Sequence, residues 1–160
     1  MIDLDKVIYN LIDLVRNKYD LLEEIYELTK KQTEVIEETD LEILSILIDE
    51  KQERIDLIRK KDSQFEAIVS DLKTLYDIKS LDELEIKSPN ITILKDNVDS
   101  VMTILKDIME LEASNKEKIT SKKDQLEEKM GKAQNGKKAI KQYGGAGVYS
   151  DAYFFDKKIK

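Results

Sequence analysis

Glu37-Glu38-Thr39-Asp40-Leu41 interrupts two long runs of sequence whose apolar residues recur every three or four positions. Before it stand Leu4, Ile8, Leu11, Val15, Leu22, Ile25 and Ile36. After it come Leu41, Leu44, Ile48, Ile55, Ile58, Phe65, Val69, Leu72 and Tyr76. Steps of three and four keep each set on one side of an α-helix, where a partner helix can cover it. Thr39 followed by Glu42 fits a capping box, in which hydroxyl and carboxylate satisfy amides at the helix start. A break this short makes the two arms antiparallel neighbours, each about 50 Å long at about 1.5 Å per residue. The sequence therefore predicts an all-α fold built on a long, thin hairpin, with helices at about 5–37 and 40–76.

The first arm carries a second row, Ile12, Tyr19 and Tyr26, spaced by sevens. This row is covered either by a third helix of the chain or by a partner. A third apolar run supplies the first option: Leu94, Val98, Val101, Ile104, Leu105, Ile108 and Leu111. Between the arms and this run, Ser80-Leu81-Asp82-Glu83-Leu84 carries another capping signature, and Ser88-Pro89-Asn90 stops any helix before a new one starts. Beyond Leu111 the stripe thins to Ile119, Leu126, Met130 and Ala133, with Glu112, Asn115 and Lys122 at seam positions. The reading is a third helix over about 92–142 whose first half packs on the hairpin and whose second half projects or packs weakly. Two seam positions in the second arm are charged, Lys51 and Asp62. Either Lys51 snorkels past the seam and Asp62 marks a wet or splayed end, or the two fix the register or leave a gap for a partner.

From Tyr143-Gly144-Gly145-Ala146-Gly147 onward the character changes. Five of the ten aromatics lie in this last stretch, among them Tyr153, Phe154 and Phe155 in succession. The chain thus divides into a helical bundle over 1–142 and a glycine-hinged aromatic tail over 143–160. The tail reads equally as a docking peptide and as a cover for the chain's own apolar surface. Truncation after Gly136 is expected to leave a folded hairpin with impaired partner binding. Circular dichroism showing wholesale loss of helix would place the tail in the core instead.

Composition narrows the function. The 160 residues contain no histidine and no cysteine, which removes Ser-His-Asp and Cys-His machinery and zinc sites built from these ligands. Carboxylates and lysines are plentiful but nowhere concentrated in a plausible pocket, so neither enzyme activity nor a cofactor or metal is expected. Net charge is −7, yet Ser114 to Lys160 holds 12 lysines against 6 acids, leaving −13 on the preceding residues. An acidic body repels nucleic acid, and the lysines of the basic segment alternate with Glu117, Asp124, Glu127 and Glu128, as on a solvated helix face. No apolar run approaches the about 18 residues of a membrane span, and the acidic start lacks the pattern of a secretory signal. The expectation is a soluble, cytoplasmic protein.

Several stretches together resemble the FlgN/FliT class of bacterial flagellar export chaperones. They are Leu21-Leu22-Glu23-Glu24-Ile25-Tyr26-Glu27-Leu28, Thr39-Asp40-Leu41-Glu42-Ile43-Leu44, Asp49-Glu50-Lys51-Gln52-Glu53-Arg54-Ile55, Leu111-Glu112-Ala113-Ser114-Asn115 with Ile119, and Lys141-Gln142-Tyr143-Gly144. The resemblance implies a cytosolic escort. Its clients would be late flagellar export substrates, the hook–filament junction proteins or the filament cap protein, delivered to the export gate. It assigns client contact to Ile119, Leu126 and Met130, an orienting role to Asn115 and gate docking to Tyr143. The aromatic tail, read from the residues alone, adds Tyr153, Phe154 and Phe155 as candidate anchors. The other reading of the stripes is a scaffolding coiled coil that associates with copies of itself; the two differ in whether a stable oligomer or a heterocomplex forms.

Overall fold

The computed structural model describes residues 2–130, and these fold as a helical bundle with no strand among the described residues. Three long helices, α1 (Leu4–Glu37), α2 (Leu41–Tyr76) and α3 (Asn90–Ser121), are followed by a short α4 (Lys123–Met130). The all-α hairpin with a third long helix is as expected. The helix expected over 92–142 is interrupted at Lys122, where the backbone leaves helical geometry (φ −98°, ψ 8°). Met1, the glycine hinge and the aromatic tail lie outside the described residues, as does the side chain of Met130.

The hairpin turn closes by backbone chemistry that differs from the capping box expected at Thr39. The amide of Asp40 donates to the Val35 carbonyl (2.9 Å) and that of Thr39 to the Ile36 carbonyl (3.1 Å), a Schellman closure of α1. Thr39 takes the left-handed position of that motif at φ 57°, so it cannot be the extended residue that caps α2. That role falls to Asp40, whose carboxylate accepts from the Ile43 amide at 3.2 Å. The same closure ends α2: Asp77 sits at φ 50° and the Ile78 amide reaches the Lys73 carbonyl at 3.0 Å.

The connector folds as its sequence indicates. Ser80 caps a 3₁₀ turn over Leu81–Leu84, and the Glu83 carboxylate accepts from the amides of Lys79 (2.7 Å) and Ser80 (3.0 Å). Leu81 and Leu84 are buried under it, and the buried Ser88 donates to Asp5 at 2.7 Å, tying the connector to the start of α1. α3 then returns along the hairpin.

α1 lies closely along both α2 and α3 and is the helix the other two share. Its row Ile12, Tyr19 and Tyr26 is used inside the chain: Ile12 is buried and both tyrosines pack on the core. The larger cluster unites Ile8, Leu11, Val15, Leu22 and Ile25 with Ile55, Ile58, Phe65, Val69 and Leu72, and with α3 from Ile91 to Ile108. Asp62 neither splays nor wets the seam. It pairs at 2.9 Å with Lys18, which is 3% exposed; burial raises its carboxyl above the usual range, and the lysine opposes that. One flank of α2 keeps Ile43, Ile46, Leu57 and Leu75 exposed.

Candidate functional site

At the turn end of the hairpin a second, smaller apolar cluster forms from Leu28, Val35 and Ile36 of α1 and Leu41, Leu44 and Leu47 of α2, with Ile48 at its edge. Two helices alone leave such a surface as an open trough. Here it is filled by Ile119 from the last turns of α3 and by Leu126 from α4, which is 0% exposed. Of the two expectations for the second half of the third helix, projection or weak packing, the structure shows packing on the hairpin as far as Leu126. Residues 131–142 lie outside the described residues. Few apolar residues suffice when they land in a ready trough.

The backbone turn at Lys122 steers α4 into this position. Lys118 reaches the Glu37 carboxylate at 2.9 Å, and the Lys122 ammonium donates to the Glu37 carbonyl at 3.1 Å. Both cations sit at the carboxyl end of α1, where unpaired carbonyls and the helix dipole favour positive charge. Lys118 also holds the Glu37 carboxyl below its ordinary value, chiefly through their hydrogen bond.

Above the trough lies a level of polar side chains. Lys51 does not snorkel: it is 6% exposed, and its ammonium donates to the Gln32 side-chain oxygen at 2.8 Å and to the Glu112 carboxylate. Burial pulls Lys51 down from the ordinary 10.5 to about 7, and the carboxylate against it works the other way. Beside this trio Asn115, 0% exposed, donates to the Thr29 carbonyl at 3.3 Å and accepts from the Thr33 hydroxyl at 2.7 Å. Thr29 in turn donates to the Ile25 carbonyl at 2.7 Å. Asn115 is thus a cross-helix tie between α3 and α1.

Of the residues singled out in sequence, the structure brings Asn115, Ile119 and Leu126 to one end of the bundle, all three buried. Met130 ends α4, with its side chain outside the described residues; Tyr143, Tyr153, Phe154 and Phe155 lie outside them entirely. Gln32, Thr29 and Thr33 escaped the sequence reading. The available signal was their position: three polar residues on the buried face of the first arm, opposite a seam lysine.

An extended, charged bundle with an apolar trough at one end and a short helix laid in it defines a helical binding protein. Among the described residues there is no cluster of His, Cys, Asp and Glu suited to a metal, and no helix long and apolar enough to cross a membrane. The family model described as FlgN protein matches residues 1–151, and the chain belongs to that family. FlgN proteins are chaperones of flagellum biogenesis that bind flagellar substrate proteins. No curated protein and no solved structure matches the chain.

Proposed function

We propose that this protein is a cytosolic escort for hook–filament junction or filament cap proteins, keeping their terminal helices unassembled until they reach the export gate. Family membership over residues 1–151 is the observation that carries this reading. The trough at the turn end supports a mechanism. A client's amphipathic helix has the period needed to enter between α1 and α2 and cover Leu28, Val35, Leu44 and Leu47, taking the place now held by Leu126. Ile119, Leu126 and Met130 then contact the client, Asn115 orients the adjoining turn, and Tyr143 with Tyr153, Phe154 and Phe155 adds outer contacts or docks at the gate. Exchange of one apolar helix for another leaves buried area nearly unchanged, so loading and release need no nucleotide.

The test is an affinity capture from the source bacterium with the intact chain, the chain truncated after Gly136 and a Leu47→Glu variant, each checked for helicity by circular dichroism. Recovery of a junction or cap protein by the intact chain, and its loss with Leu47→Glu, is expected. Recovery of the chain alone as a stable oligomer would favour the scaffolding alternative.

A further inference from the structure

The apolar interior of this bundle is not continuous. Nineteen buried residues form the cluster that ends at Ile25, Ile55 and Ile108, and eight form the cluster at the turn end. Where they meet, with Leu28 of the turn-end cluster just ahead of it on α1, all three long helices contribute polar side chains at one level: Thr29, Gln32 and Thr33 from α1, Lys51 from α2, and Glu112 and Asn115 from α3. Cooperativity along a bundle is carried by apolar side chains interlocking from one layer to the next, because parting them exposes surface that water solvates poorly. Parting a polar layer differs. Lys51, Glu112, Gln32 and Asn115 each regain water partners for the hydrogen bonds they give up. The plane through Thr29, Lys51 and Glu112 is therefore the least costly plane at which this bundle can separate.

We infer that the chain consists of two cooperative units meeting at this polar level, and that the turn-end unit opens while the larger unit stays folded. The smaller unit comprises the carboxyl end of α1, the amino end of α2, the last turns of α3 and α4. Its eight core residues against nineteen make it the weaker of the two. The break at Lys122 gives it a ready point of release, since Leu126 is attached to α3 by one non-helical residue. Opening in this sense frees the trough without dissolving the scaffold. The inference concerns the chain alone and does not depend on which client, if any, enters.

Hydrogen exchange of the full chain under native conditions, followed amide by amide across a low urea series, tests it. Two units predict a step. Amides of residues 29–35, 44–50 and 112–119 share one protection level, lower by about tenfold or more than that of residues 12–25, 58–69 and 98–108. Simple fraying predicts a smooth gradient from the turn instead, and one global unit predicts a common level; either result overturns the inference. A triple variant, Gln32→Leu, Lys51→Met and Glu112→Leu, joins the two apolar clusters across the level. It is expected to raise protection at residues 29–35 and 112–119 toward that of the larger unit while leaving the latter unchanged. A step that persists unaltered in this variant would show that the polar level is not the boundary.

Discussion

Replacing Glu112 by leucine isolates the ammonium at the centre of the polar level and makes its cost visible as a pH dependence. With the carboxylate gone, Lys51 retains the Gln32 oxygen but no counter-charge at Glu112. Burial pulls Lys51 from an ordinary 10.5 to about 7 in the parent chain, and removal of the carboxylate beside it pulls it lower still. Between those values the unfolded chain binds more protons than the folded one, so stability rises with pH across the window and falls as pH drops through it. The parent already has this dependence above pH 7, so the variant separates from it only below that, by about 1.4 kcal/mol for the decade from pH 7 to pH 6. Glu112 is 20% exposed, so the loss belongs at the lower edge of the about 3–5 kcal/mol typical when one member of a buried pair is removed. The variant should therefore be about 3 kcal/mol less stable than the parent at pH 6, and about 1.4 kcal/mol of that deficit should disappear between pH 6 and pH 9. Urea unfolding followed by far-ultraviolet circular dichroism at pH 6, 7, 8 and 9 measures this directly. A deficit that stays constant across the series would mean that Lys51 is not the titrating group, and the argument would fail. Adding Lys51→Met to the same variant should abolish the pH dependence.

Four further outcomes are expected. Asp40→Ala removes the side-chain cap of α2 and should lower stability by about 1 kcal/mol, measurable as a lower urea midpoint, whereas Asp40→Asn should change little. Thr39→Gly relieves a left-handed β-branched residue and should be neutral to stabilising by about 0.5–1 kcal/mol, the reverse of what loss of a capping box would do. Asp62→Leu removes the carboxylate paired with Lys18, which is 3% exposed, and should cost about 3 kcal/mol at neutral pH in the same unfolding assay. Leu126→Ala should barely move the urea midpoint but should accelerate protease cleavage within residues 123–130, because α4 is held by few contacts besides that side chain.

The long stripes were legible because burial on one face imposes a period that propensity alone cannot mimic. Ile8, Leu11, Leu22, Ile58, Val69, Val98 and Leu105 are all found in the core. The turn was located correctly but its chemistry was not. Thr39 and Asp40 are both competent caps, and the choice between them rests on the backbone angle at Thr39, which the preceding helix end dictates. Lys51 and Asp62 were visible as misfits in a seam, but their partners are far along the chain or on the neighbouring arm. No local pattern connects Asp62 to Lys18, or Lys51 to Gln32 and Glu112. Whether Ile119 and Leu126 pack on the first two helices or face a client stays open in the sequence for a related reason. Hydrophobic density falls beyond Leu111, and only the three-dimensional trough between α1 and α2 turns two isolated side chains into a docked segment.

The position of α1 between its two neighbours also has a consequence for synthesis. The hairpin is complete once Tyr76 has been made, but the side bearing Ile12, Tyr19 and Tyr26 waits for α3, whose Ser121 lies 45 residues further on. At about 5–20 residues per second, the ribosome needs about 2–9 s to supply them. Throughout that interval the nascent hairpin presents a full-length apolar face to whatever amphipathic segment is nearby. The chaperone is, for the first seconds of its existence, a client.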